Sequence, residues 1–199
     1  MDSRKTRDVL LDAAKRQFIR NGYDVVSMMD IAQESGLSRR TLYSYFGSKA
    51  DVYKAAIERE TSIVIEKLKT IIADDSPVEI RILDFVNGRF AIIKDMVDHN
   101  GTLKSFFFKN SWNLEHFRKD YDRQERQMLV DMIVDGVNRK VFDVSNVNLA
   151  ADMIQNCIRG FEYPYIKGIL WKSASREEIR LQFGKIVYAI VGYNDKNRK

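Results

Sequence analysis

Residues 27–46 read S-M-M-D-I-A-Q-E-S-G-L-S-R-R-T-L-Y-S-Y-F. Ser27-x-x-Asp30 has the spacing of a capping box, in which the serine oxygen takes one orphan N–H and the acid reaches back to another. Gly36 stands where a glycine C-cap would end the first helix. A second helix starts at Ser38, and in it Leu42 and Phe46 share a face at i, i+4. Helix, glycine turn, helix is the helix-turn-helix pattern, whose second helix is shaped to lie in a major groove. Leu42 and Phe46 are then expected to pack inward on Ile31, Leu37 and Phe18. Arg39, Arg40 and Thr41 fall in the first turn, the end that meets base edges. Arginine offers a two-pronged donor that matches guanine O6 and N7, worth about 1–3 kcal/mol of discrimination. Thr41 can touch a base edge or a thymine methyl. The hydroxyls of Tyr43 and Tyr45 can reach flanking phosphates. Lys49 opens the next helix, where free N–H groups also favour a phosphate, and Ser27 holds the equivalent place before residues 28–35.

Outward from this stretch, helix signals recur. Ser48-x-x-Asp51 and Ser175-x-x-Glu178 repeat the capping-box spacing, and Ser76-Pro77-Val78-Glu79 reads as an N-cap followed by proline at the first helical position. Val9, Leu10, Ala13, Ala14 and Phe18 form one apolar stripe. Ile80, Leu83, Phe85, Val86 and Phe90 form a second, and Leu129, Met132, Ile133 and Val137 a third. Sustained period-2 alternation is absent. The chain is therefore expected to be all-α, with about nine helices near 4–21, 27–35, 38–45, 48–73, 77–98, 102–109, 112–138, 146–170 and 175–194. Pro164 should kink or break the eighth of these. The expected division is a helix-turn-helix domain over 1–50 and a larger helical domain over 51–199.

Of 199 residues, 45% are hydrophobic and 31% charged, enough for a core of real size. Residues 1–54 hold ten Lys/Arg against seven Asp/Glu, so they carry +3 of the net +5. A basic first quarter on a near-neutral body points to an anionic partner for that quarter. The single cysteine, Cys157, excludes a disulfide framework and a cysteine-rich zinc site, and fits a reduced thiol in the cytosol. The opening MDSRKTRD has no apolar stretch behind it of the kind a signal peptide needs. No run approaches the roughly 18 apolar residues of a membrane span, so no membrane role is expected and the location reads as cytoplasmic.

A longer run now matters: V9-L10-x-x-A13-A14-x-x-x-F18-x-x-x-G22-Y23, continuing as I31-A32-x-x-x-G36-L37-S38-x-x-T41-L42-Y43-x-Y45-F46-x-S48-K49-x-x-V52. It resembles the N-terminal domain of the TetR (tetracycline-repressor-like) family of bacterial transcription regulators. The resemblance covers about a quarter of the chain in motif. It implies a two-fold dimer whose paired recognition helices read a pseudo-palindromic stretch of double-stranded DNA. By position, Arg39, Arg40 and Thr41 resemble the family's base-reading residues, and Ser27, Tyr43, Tyr45 and Lys49 its phosphate contacts. Arg40 departs from the pattern, since many members carry Gly or Ala there. The resemblance also implies a repressor released by a small ligand. A body that answers to a protein partner instead, or an architectural factor with no small ligand, is the alternative.

The C-terminal part of that family diverges too far for residues to be carried over. The helices expected at 146–170 and 175–194 sit where the family builds its dimer interface. Leu149, Ile154, Ile158 and Phe161, then Phe183, Ile186, Val187 and Ile190, make both apolar on more than one face, so a homodimer interface is expected there. Aromatic residues crowd the middle of the chain. Phe85, Phe106, Phe107, Trp112, Phe117 and Tyr163, with His116 and Asn156 as polar groups, are the candidate lining of a pocket for a hydrophobic or aromatic ligand. An aromatic stripe at helical spacing is more often plain core. No catalytic or metal constellation is present: His99 and His116 have no partner at ligand spacing, and no glycine-rich phosphate loop or G-x-S-x-G elbow occurs. The chain is expected to be no enzyme and to need no cofactor.

Overall fold

Ser27, Ser48 and Ser175, which read as helix starts, act as such. In the computed structural model, which describes residues 3–99, 111–167 and 174–193, Ser27 Oγ accepts the Asp30 N–H at 3.3 Å and Asp30 Oδ2 accepts the Ser27 N–H at 2.8 Å. Ser175 and Glu178 form the same reciprocal pair. The helices are α1 (Ser3–Asn21), α2 (Met28–Ser35), α3 (Arg39–Tyr45), α4 (Lys49–Ile72), α5 (Val78–His99), α6 (Ser111–Asn138), α7 (Val147–Ile166) and α8 (Arg176–Ile190). The described residues thus form an all-helical fold. The helix expected at 102–109 lies outside them.

Two local expectations change. Ser76 does not cap α5 with its side chain. Its hydroxyl and N–H both go back to Asp74 Oδ1, and the Pro77 carbonyl takes the first helical bonds, from Ile80 and Arg81. Pro164 does not break α7, which runs on to Ile166. Ala151, Ile154, Gln155, Ile158, Glu162 and Ile166 form a buried stripe that continues on both sides of the proline. Packing of that stripe holds the helix through one missing backbone hydrogen bond.

The chain divides into two compact units. The first holds the described residues of 1–63 and 96–119, and the second those of 64–95 and 120–199. The first unit thus runs beyond the expected boundary at residue 50, because the opening turns of α4 belong to its core. Val52, Tyr53, Ala56 and Ile57 are buried there beside Leu10, Ala14, Phe18, Ile31 and Leu42. Lys15 donates to Glu60 at 2.8 Å and Arg59 to Asp12 at 2.6 Å, so two ion pairs tie α4 to α1 within about one turn of α1. Val9, expected in the α1 stripe, faces solvent, and Leu11 fills the core instead.

In the second unit α5 contributes Val78, Ile82, Phe85, Val86 and Phe90 to the core, while Ile80 turns outward. Phe90 meets Phe183 edge-on at 5.1 Å between ring centroids, and Phe161 meets Phe183 in the same way. Gly136 near the end of α6 is required by packing: a Cβ there would stand 2.0 Å from a ring carbon of Phe142. A charged cluster lies in this apolar interior. Arg89 is 0% exposed; its Nε donates to Glu125 Oε1 at 2.7 Å and its Nη2 to Glu162 Oε2 at 2.8 Å. Tyr121 donates its hydroxyl to Glu125 Oε1 at 2.9 Å, and Gln155 donates to Glu125 Oε2 at 3.1 Å. Burial opposes the charge on Arg89, but Glu162, Tyr121 and Glu125 outweigh it and hold its pKa well above the ordinary guanidinium value. Burial likewise pushes the Glu125 carboxyl up, and the charge and N–H of Arg89, with Gln155 and Tyr121, bring it below the ordinary carboxylate value.

Candidate nucleic-acid interface

The turn between α2 and α3 is set by one residue. Gly36 has φ 69°, and its N–H and that of Leu37 return to the Gln33 and Ala32 carbonyls, both at 3.2 Å. A left-handed residue costs any side-chain-bearing amino acid about 1–2 kcal/mol, so glycine suits this corner. Ser38 then caps α3, accepting the Thr41 N–H at 3.0 Å. Leu42 and Phe46 are buried, as is Ile31, which pins the inner face of α3. The outer face carries Arg39 and Arg40, both exposed, with neither a hydrogen bond nor an ion pair among the described residues. Tyr43 joins them at 47% exposed.

The other candidate contacts are more committed. The Thr41 hydroxyl shares a hydrogen bond with Ser38 Oγ at 2.9 Å, which leaves its methyl group for a base. Tyr45 donates its hydroxyl to Ser3 Oγ at 3.3 Å, so the start of α1 lies beside α3. Ser27 Oγ is engaged in its capping box, 2.7 Å from Asp30 Oδ2. That contact and the backbone N–H of Ser27 hold the Asp30 carboxyl below its ordinary pKa. Lys49 reaches back 26 residues: its Nζ donates to the Tyr23 carbonyl at 2.7 Å and to the Asp24 carbonyl at 3.3 Å. The same ammonium sits 4.5 Å from the Tyr23 ring centroid. Tyr23 in turn meets the Tyr53 ring at a tilt, 4.5 Å between centroids, and the Tyr53 hydroxyl is pushed up to about 12 by burial and then by Tyr23 and Asp24.

Sequence reasoning passed over the basic start of α1. Lys5 and Arg7 are exposed there, and the Arg7 guanidinium lies 5.5 Å from the Phe46 ring centroid. The signal was present in R-K-T-R at residues 4–7, which enters the charge count of the basic first quarter without being singled out.

For the expected ligand pocket, Phe106 and Phe107 lie outside the described residues. Trp112, His116, Phe117 and Tyr163 lie on helices whose side chains at those positions also fall outside them. Phe85 is wholly buried, and Asn156 is exposed rather than turned inward. An open groove of about 750 Å³ in the second unit is lined by Ile71, Gly88, Ala91 and Ile92, with Lys67 and Arg180 among its polar residues. Of the expected residues that are described, neither Phe85 nor Asn156 lines it. The expected dimer set also divides. Ile154, Ile158, Phe183 and Val187 are buried in the second unit, where α7 and α8 are in contact. Phe161 and Ile190 are half-buried. Leu149 and Ile186 are exposed, with Met153 and Leu181.

The family model for bacterial regulatory proteins of the tetR family matches residues 10–56. The chain is 26% identical over 127 residues to YfiR of Bacillus subtilis, an HTH-type transcriptional regulator, covering 64% of this chain and 61% of that protein. It is 27% identical over 109 residues to FasR of Mycolicibacterium smegmatis, an HTH-type transcriptional activator, covering 55% and 48%. The match therefore spans less than two thirds of either relative. In fold the chain is similar to SmeT, solved with triclosan: TM-score 0.73, 17% identity, 96% of this chain and 93% of that one. The named relatives are transcriptional regulators, and the solved structure shares the fold.

Proposed function

From a chain that carries the DNA-binding head of the tetR family on a TetR-like helical fold, and so is a helix-turn-helix regulator of transcription, we infer a homodimeric repressor of a pseudo-palindromic operator in the cytoplasm. The observation that carries this reading is the two-sidedness of α3: Leu42 is sealed inward while Arg39 and Arg40 stand free in its first turn. Arg39 and Arg40 read base edges, and the Thr41 methyl group adds an apolar contact. Tyr43 and Tyr45 hold phosphates, with Ser27 at the start of α2 and the remaining N–H of Lys49 at the start of α4. No described helix is long and apolar enough to cross a membrane.

Two copies meet through the outward faces of α7 and α8, where Leu149, Met153, Leu181 and Ile186 are exposed. Paired recognition helices must then stand about 34–36 Å apart to enter successive major grooves. A small, largely apolar ligand held in the second unit changes that separation and releases the operator. It acts only by its difference in affinity for the two states. The solved complex of SmeT with triclosan supports a ligand of this kind. FasR is an activator, so the sign of regulation is read from the assay and not from kinship.

Selection of bound duplexes from a random pool at two salt concentrations tests the reading. An inverted repeat should be enriched. Arg39→Ala should relax one base position by about 1–3 kcal/mol, and Tyr43→Phe should weaken all sites alike. Binding that ignores both substitutions refutes the proposed contacts.

A further inference from the structure

We propose that Arg7, in the second turn of α1, holds a backbone phosphate of the bound DNA beside the end of α3. The proposal rests on the DNA-binding reading above and adds a contact from α1, a helix to which that reading gives no role at the DNA.

Position is the first ground. Tyr45, the last residue of α3, donates its hydroxyl to Ser3 Oγ at 3.3 Å. The Arg7 guanidinium lies over the ring of Phe46, the next residue, 5.5 Å from its centroid. Ser3 and Arg7 are one turn apart on a shared face of α1. That face therefore runs past the end of the recognition helix, and Arg7 comes next to Tyr45, assigned above to a phosphate. Phe46 is itself buried, so the ring beneath Arg7 is fixed by the core.

The second ground is what Arg7 leaves open. It is exposed and makes no hydrogen bond or ion pair among the described residues. A ring face holds a guanidinium by its charge and takes none of its N–H donors. Arg16 and Arg20, further along the same helix, pair with Glu34 instead. Arg7 is thus an oriented fork whose donors stay available, and the oxygens of a phosphate match that fork. Asp8, the nearest acid in sequence, points about 100° away round the helix.

Charge is the third. α1 opens on Ser3, Arg4 and Lys5 with no acid in its first turn, and α3 opens on Arg39 and Arg40 in the same way. No other described helix begins with two adjacent basic residues, and α2, α4, α5 and α8 each carry an acid there. Basic side chains at a helix start work against the helix dipole, so stability does not account for them, whereas a phosphate backbone does. The two helices that share this pattern are the two that Tyr45 and Phe46 bring together.

The test uses the full chain on two duplexes: the inverted repeat enriched by selection, and a pooled duplex of random sequence, which a phosphate contact holds equally well. Binding is titrated across salt concentrations for wild type, Arg7→Met and Lys5→Met. Methionine keeps an apolar stem over Phe46 and removes the charge and the donors. Lys5 is exposed too but lies about 200° round α1 from Arg7, away from α3. Arg7→Met should bind both duplexes about tenfold more weakly and lower the slope of log affinity against log salt by about 1 for each bound head. Lys5→Met should change the slope by less than half as much, and base preference should stay that of wild type in both. Should Arg7→Met not fold, Arg7→Gln takes its place. On the selected duplex, a methylphosphonate that removes one phosphate charge should, at one position in each half-site, weaken wild type but not Arg7→Met. An unchanged slope in Arg7→Met, an equal fall in Lys5→Met, or a methylphosphonate scan identical in wild type and variant overturns the proposal, leaving Arg7 as a cover for Phe46 or one charge in a general basic field. Wild type that binds neither duplex overturns the DNA-binding reading and this contact with it. Absence of an enriched repeat, with the Arg7 effect intact on the random duplex, sinks the operator reading alone.

Discussion

Lys49→Met separates two roles that a DNA-binding residue can combine. In the free protein its ammonium donates at 2.7 Å to the Tyr23 carbonyl, more weakly at 3.3 Å to that of Asp24, and lies over the Tyr23 ring. The short charge-assisted bond is worth about 1.5–3 kcal/mol. The ring contact adds about 0.5–1 kcal/mol at a partly exposed site. Ordering a lysine side chain offsets up to about 1.5–2 kcal/mol of this. The net is about 1 kcal/mol, all of it holding the connection between α1 and α2 to the start of α4. Methionine keeps the apolar stem and removes the ammonium alone.

Hydrogen exchange on the intact chain reads this directly. Amides across residues 22–27 should exchange about fivefold faster in the variant, the equivalent of about 1 kcal/mol. Duplex binding at several salt concentrations reads the other role: loss of one phosphate contact lowers the slope of log affinity against log salt by about 1. Faster exchange with a reduced slope means that the third N–H reaches a phosphate while the first two staple the head. Exchange within about twofold of wild type, an effect below about 0.5 kcal/mol, would refute the staple and leave Lys49 as a phosphate contact only.

Three further outcomes follow from the geometry. Gly136→Ala should destabilise the second unit by about 1–3 kcal/mol or more in urea denaturation, because the new methyl group would overlap the Phe142 ring, while operator contacts are untouched. Acid should loosen the same unit first where its carboxylates are held low: Glu125, opposed by burial but held by Arg89, then Asp135 by Arg139 and Asp152 by Arg126. Since their folded pKa values lie below the unfolded ones, their stabilisation is full above about pH 4.3 and is lost as pH falls through the carboxylate range; a pH series of thermal melts should therefore decline below pH ~4.3 and not above it. Leu149→Glu should leave one copy folded but prevent two from associating, seen as a halved mass in light scattering, whereas Ile154→Glu, with its side chain 1% exposed, should unfold the unit.

The helix-turn-helix was legible because every signal in it is local. Ser27 and Asp30 are three residues apart, Gly36 needs only its own φ, and Leu42 and Phe46 are one turn apart. What the pattern hid is set by distance along the chain. Lys49 finds its partner 26 residues back, and Glu162 finds Arg89 across 73. No periodicity ranks a lysine at a helix start as a staple rather than a phosphate contact. Nor does a lone arginine among phenylalanines announce that two glutamates on other helices will meet it.

α7 shows the same limit from the apolar side. Its sequence is hydrophobic on more than one face, which periodicity reads correctly and then leaves undivided. Two rows run along it. Ile154, Ile158 and Ile166 are sealed in the second unit with Gln155 and Glu162, whereas Leu149 at 55% and Met153 at 48% exposed stand outside. The two rows differ by less than a third of a turn between Met153 and Ile154, a shift of about 100° per residue. Only the neighbours packed on α7 decide which row belongs to the protomer. α7 thus carries the glutamate of a buried arginine–glutamate pair on its inner row and leaves an apolar row exposed on its outer one, a division that no periodicity along its own sequence announces.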